Sequence, residues 1–326
     1  MRALAFERRD LSDLKVRELP DPRPGPHEVL IRVKQVGLNP VDLMTITSLP
    51  VRPFPHVPGV EFSGLVEEVG EEVRGLGKGA KVAVYTRTFD GSCPYCLAGR
   101  EMLCLNGGRI GVDQNGGLAE YVVVPALNVL PSDLDWDVLS SLPVSALTPY
   151  HALLEARIRP GEVAVILGAS GNTGQFAVQL AKLMGVEVIA VSRRQWVREL
   201  GADQVVGMGE VLEEVRKITG GRMADIVLNS LGREFWGSSL KLLGVGGRLV
   251  TFGTLTGAEV EMGIGEITSR HLSILGTTRG SLGEFRALLK IAGRLKVKVW
   301  RKLPLEEGAE AFQSLSSKDG RVFLVL

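Results

Sequence analysis

Val163-Ala164-Val165-Ile166-Leu167-Gly168-Ala169-Ser170-Gly171-Asn172-Thr173-Gly174-Gln175-Phe176-Ala177-Val178-Gln179-Leu180-Ala181-Lys182 is the stretch that decides the fold. Five uninterrupted apolar residues suit a strand covered on both faces, and the residues after the glycines have the period of an amphipathic helix. Glycines between strand and helix let the backbone turn sharply and approach a pyrophosphate. The charge of that pyrophosphate then meets the free amides and positive dipole at the helix N-terminus. A glycine pattern alone is also an ordinary strand-to-helix turn; its βαβ setting turns the reading toward a dinucleotide.

The same rhythm continues on either side. Val186 to Val191, Gln204 to Val206, Ala224 to Leu228 and Arg248 to Phe252 read as strands, separated by helical stretches at Val211 to Thr219 and through Leu240. Such repetition predicts a doubly wound α/β Rossmann sheet over residues 126–276. Before it, short alternating runs such as Glu28 to Val33 and Lys81 to Val84, broken by Gly and Pro, predict a β-rich domain over 1–125. Residues 277–326 complete that first domain in this reading, with a helix from Ser281 to Ala292 and a closing strand from Arg321.

At the end of the second Rossmann strand an acid would accept the ribose 2′-hydroxyl of NAD, but the chain reads Val191-Ser192-Arg193-Arg194. A hydroxyl and two guanidinium groups suit a 2′-phosphate and point to NADP(H), unless the arginines merely solvate a helix start.

Composition narrows the partners. Lys+Arg 38 against Asp+Glu 37 leaves a formal charge of +1, which builds no field for nucleic acid or an anionic membrane. No apolar run approaches the roughly 18 residues of a membrane span, and the first residues lack a signal-type core, so a cytoplasmic protein with a small-molecule partner is expected. Three cysteines crowded between Cys93 and Cys104 read as thiolate ligands in a reducing compartment rather than a disulfide framework.

These residues resemble the medium-chain dehydrogenase/reductase superfamily over essentially the whole chain. Gly37-Leu38-Asn39-Pro40-Val41-Asp42 and Pro58-Gly59-Val60-Glu61-Phe62-Ser63-Gly64-Leu65-Val66 resemble its quinone oxidoreductase branch. Leu142 to Tyr150 is similar to the helix that presents a threonine, here Thr148, beside the nicotinamide, and Gly246 to Gly253 to a later cofactor strand. The resemblance implies a GroES-like domain, a Rossmann domain, a cofactor between them and a homodimer or homotetramer. It places cofactor contacts on Thr148, Gly168, Ser170, Gly171, Asn172, Thr173, Gly174, Ser192, Arg193, Arg194, Asn229, Phe252, Gly253, Thr254, Thr277 and Arg321. The alcohol dehydrogenase branch carries zinc ligands at the positions of Asn39, Val60 and near Val144, none of which can bind zinc here.

Asp90 to Cys104 resembles the family's structural zinc lobe, with its third cysteine replaced by Gly99. Some members place an acidic ligand where this chain has Asp90, so Asp90, Cys93, Cys96 and Cys104 could hold one structural zinc; a vestigial lobe with three reduced thiols is the alternative. The resemblance thus implies an NADPH-dependent reductase of a quinone, an enone or an enoyl thioester. Asn39 and Thr148 act on the acceptor in this reading, unless Asn39 is only a turn residue. Many quinone oxidoreductases carry a tyrosine shortly after the segment matched by Asp42, but none stands there, which leaves water, Thr45, Thr47 or an unidentified group as the proton source, and His27, His56, His151 and His271 read as surface or packing residues. A dinucleotide-binding protein with little turnover is the competing class.

Overall fold

In the computed structural model, which describes residues 1–326, the strand Val163–Leu167 lies inside a six-stranded sheet and is buried along its length. Its neighbours run Gln204–Val206, Glu187–Val191, Val163–Leu167, Ala224–Asn229, Leu243–Thr251 and Ser273–Gly276, every pairing parallel. In chain order this is 3-2-1-4-5-6, the Rossmann arrangement, whose order reverses between Val163–Leu167 and Ala224–Asn229. A ligand crevice is expected beyond the C-terminal ends of those two strands. The helix Gly174–Leu183 covers one face, burying Phe176, Val178, Leu180 and Ala181. The sixth strand, Ser273–Gly276, is half exposed at the sheet edge and was not anticipated: four residues ending in Ser and Gly carry too little apolar pattern.

The chain divides into one compact unit of Met1–Ser145 with Ser281–Leu326 and another of Ala146–Gly280. In the first unit the sheet runs Val299–Pro304, Arg321–Val325, Glu28–Gly37, Phe62–Val69, Lys81–Val84 and Val129–Pro131, with Tyr121–Pro125 also paired to Glu28–Gly37. The closing strand therefore belongs to the first unit, antiparallel to Glu28–Gly37 through Phe323, Leu324 and Val325. The division falls twenty residues later than residue 126 because the segment after it is bound to the first sheet. Val129–Pro131 pairs with Lys81–Val84, the Gln35 amide donates to Asp137 at 2.8 Å, and the Lys81 ammonium lies 4.0 Å from the Trp136 ring centroid. A π-helical turn, Leu142–Ala146, leads into the helix Leu147–Glu155. Such turns cluster at functional positions.

Candidate functional site

Cys93, Cys96 and Cys104 bring their sulfurs together around the short helix Pro94–Leu97, whose N-cap is Cys93. The Cys93 sulfur lies 3.6 Å from that of Cys96 and 3.9 Å from that of Cys104, too far for a disulfide. A tetrahedral centre with zinc–sulfur bonds of about 2.3 Å spaces its sulfurs about 3.8 Å apart, so the pocket has the right size for zinc. An Asp90 oxygen completes the set, all four ligand atoms lying within 4.8 Å of one another. Asp90 is held in place by N–H donors from Cys93 and Ser92 and by the Asn106 amide, which keep its carboxyl far below the usual carboxylate range. Its own N–H points at the Cys104 sulfur. Desolvation, helped by the two neighbouring thiols, pushes Cys96 up to about 12. Gly99, where the resemblance would place the family's remaining cysteine, has a φ of 68°, which favours glycine.

A second polar cluster, also in the first unit, surrounds Glu61, a residue the sequence reading did not single out. Its carboxylate is fully buried and accepts five hydrogen bonds, from the Val144 and Ser145 N–H, the Ser145 hydroxyl, the Asn39 amide and the Arg321 guanidinium. Arg321, equally buried, pairs with Glu61 at 2.5 Å and donates through Nη1 to Asn39 and Ser145. Its Nε is buried without a partner. Gly37 makes room: a side chain there would collide with the guanidinium.

The expected role of Asn39 as donor to an acceptor carbonyl does not match this geometry. Its amide hydrogens go to the Gly37 carbonyl at 3.1 Å and Glu61 at 2.8 Å, and its oxygen accepts from Arg321 and Ser145. Asn39 braces the cluster instead. Its N–H donates to Asp42, whose other oxygen accepts from Gly59 and Val60, tying the two motifs together. Burial pushes Asp42 up to about 6 against those stabilising N–H bonds. Thr45 and Thr47 are likewise committed, each donating to the carbonyl one helical turn back.

In the second unit the expected cofactor residues gather at one end of the parallel sheet. Gly168 to Gly174 follow the first strand, Ser192 to Arg194 the second, Asn229 ends the fourth, Phe252 to Thr254 follow the fifth and Thr277 the sixth. Gly168 has a φ of 66°, and a Cβ on Gly174 would strike the Gly168 carbonyl and Ala169, so the turn tolerates no bulk. Arg193 and Arg194 are exposed, and the Ser192 hydroxyl accepts from the Arg194 N–H at 3.0 Å. Thr277 has a buried hydroxyl with no partner, as expected of a group awaiting a ligand. Asn229 is different: its side chain is fully buried and shapes the turn through Leu231, Gly232 and Ser239. Thr148 is buried near the start of the helix Leu147–Glu155, whereas Arg321 lies in the first unit, its guanidinium bound as described.

Comparison with known proteins agrees with both units. Residues 25–133 match the alcohol dehydrogenase GroES-like domain and 173–294 the zinc-binding dehydrogenase family. An NAD-dependent alcohol dehydrogenase of Sulfurisphaera tokodaii is 32% identical over 326 residues, covering 93% of both chains. The chain belongs to the medium-chain dehydrogenase/reductase superfamily. As a member it is an oxidoreductase, with the GroES-like and Rossmann domains seen here. Other members similar to it differ in their named activity. An acryloyl-coenzyme A reductase of the same organism is 30% identical over 317 residues, covering 94% of this chain and 93% of that one. A thermostable alcohol dehydrogenase from Pyrobaculum aerophilum superposes with a TM-score of 0.94 at 39% identity, covering 100% of this chain and 99% of its own. No helix of this dehydrogenase/reductase is long and apolar enough to cross a membrane.

Proposed function

We propose that this chain is an NADP(H)-dependent reductase of a conjugated acceptor, a quinone or the C=C of an enone or enoyl thioester, working without a catalytic metal. The observation that carries this reading is the buried cluster in the first unit. Asn39, Val60 and Val144 offer no thiolate, imidazole or carboxylate, and both Glu61 oxygens are already engaged, one of them with the Arg321 guanidinium. An alcohol needs a Lewis acid to stabilise its alkoxide; a conjugated acceptor delocalises its incoming charge and can be served by neutral donors.

NADP(H) supplies the hydride. The glycine turn before Gly174 receives its pyrophosphate at the helix N-terminus, and Ser192, Arg193 and Arg194 hold the 2′-phosphate. The hydroxyl of Thr148, three residues after the Glu61-braced Ser145, meets the acceptor. The four-donor lobe takes one zinc that holds its loop and takes no part in the chemistry.

The test is a panel of quinones, enones and enoyl thioesters with NADPH and NADH, beside ethanol with NAD and NADP. NADPH consumption with at least one conjugated acceptor and no ethanol oxidation is expected; the reverse pattern overturns the proposal. A second reading, alcohol oxidation with NAD, is favoured by the names of several relatives, and the ethanol arm addresses it.

A further inference from the structure

The cysteine lobe stands on a short antiparallel ladder. Arg87 pairs with Arg109, the Thr88 N–H donates to the Gly108 carbonyl at 2.8 Å, and the Gly108 N–H returns to the Thr88 carbonyl at 3.3 Å. Gly107 lets the two arms close, because a Cβ there would collide with the Thr88 carbonyl. Continued outward in the same register, the ladder sets Asp90 opposite Asn106, and directly opposed side chains are the ones that meet. They do meet. The Asn106 amide donates to Asp90 Oδ2 at 2.6 Å, from sixteen positions along the chain. Asn106 is exposed, lies outside the four donors and follows Cys104 by two residues.

The two carboxylate oxygens of Asp90 are not equivalent. Oδ1 accepts the Ser92 N–H at 2.8 Å and the Cys93 N–H at 2.9 Å, whereas Oδ2 accepts from Asn106. An ionised carboxylate offers about four lone pairs, two on each oxygen. Nitrogen donors take both of those on Oδ1 and one of those on Oδ2. The lone pair left for a metal is therefore on Oδ2, the oxygen that Asn106 holds. Two N–H bonds on Oδ1 fix that atom and still let the carboxylate rock about it; the amide on Oδ2 stops the rocking. The ladder sets the amide in place through the backbone, independently of the sulfurs.

We propose that Asn106 is a positioning residue for the metal of this lobe: its amide holds Asp90 Oδ2 in place beside the three sulfurs, so that an oxygen completes a set in which the cysteines leave one donor short. The inference rests on the lobe taking zinc, as read above. Asn106 acts through Asp90 and does not itself meet the metal. Hydrogen-bond partners behind metal ligands orient them and tune their strength, and a carboxylate, a harder donor than a thiolate, has the most to gain from being held.

Zinc affinity of the full chain, measured by competition with a chromophoric chelator, tests this in the parent, Asn106→Leu, Asp90→Cys and the double variant. Asn106→Leu keeps the bulk and loses the donor, and should weaken zinc binding about ten- to a hundredfold in the parent. In Asp90→Cys the fourth donor is a sulfur that has no need of the amide. There the same change should cost less than about threefold, as for independent sites. Unchanged affinity in Asn106→Leu overturns the proposal and leaves the zinc of the lobe standing. So does an equal loss in both backgrounds, which would mean that Asn106 supports the loop without acting through Asp90. A parent that binds no zinc overturns the reading of the lobe and the proposal together.

Discussion

The first unit gathers polar side chains in two places, and the two solve opposite problems. In the cysteine lobe the Cys93 sulfur lies 3.6 and 3.9 Å from those of Cys96 and Cys104, beside one carboxylate and with no basic side chain among the four. Around Glu61 a carboxylate has its cation already, because Arg321 is inside the cluster with it. The cysteine lobe offers four donors that could hold a metal, whereas the donors around Glu61 are closed around a guanidinium.

The comparison breaks first at Glu61. Glu61→Gln leaves the buried Arg321 without its counter-charge, and removing one partner of a buried pair costs about 3–5 kcal/mol. A large drop in the urea midpoint is expected; a parental midpoint would mean the cluster is dispensable.

Asp42 sharpens it through pH. Its carboxyl is raised from 3.8 to about 6, so its stabilising contribution is full below about pH 4 and is lost as pH rises through 6. The loss amounts to about 3 kcal/mol, and Asp42→Asn should abolish that slope in the unfolding midpoint between pH 4 and 6. Asp13, held near 2 chiefly by the Arg8 and Glu7 N–H groups, works in the other sense: its contribution is present above 3.8 and lost as pH falls through 2. The two windows therefore do not overlap. An Asp42→Asn protein with the parental slope would contradict the assignment.

In the second unit, replacing Arg193 and Arg194 by Ala should reduce kcat/KM with NADPH at least tenfold relative to NADH, since one arginine contact to phosphate is worth about 1.5–3 kcal/mol. Equal use of both cofactors by the parent would remove the basis for this expectation. The smallest effect is expected at Asn39. Because its amide hydrogens are held by Gly37 and Glu61, Asn39→Ala should lower the melting temperature while changing kcat by less than about threefold. A hundredfold fall in kcat with unchanged stability would return Asn39 to the acceptor.

Much of this was legible in the sequence where the signal is local. The buried strand Val163–Leu167 reads as an apolar run, and the spacing of Asp90, Cys93, Cys96 and Cys104 lies within fifteen residues. What escaped depends on distance along the chain. Glu61 and Arg321 are separated by 260 positions, and nothing near either marks the other. One faint signal was available: Glu61 is a lone charge within the otherwise uncharged run Val57 to Val66, which is where a buried ion pair shows itself in a sequence. Asn39 was misjudged for the same reason, since its partners Ser145 and Arg321 are remote. The domain division was displaced because Val129–Pro131 and Trp136 bind back to a sheet formed far earlier in the chain.

The most direct test of the contrast between the two clusters is the zinc content of the purified chain, by elemental analysis, for the parent and for Cys104→Ala. One zinc per parent chain and a lower melting temperature with little zinc in Cys104→Ala are expected. Two zinc ions per parent chain, or one retained in full by Cys104→Ala, would contradict the account.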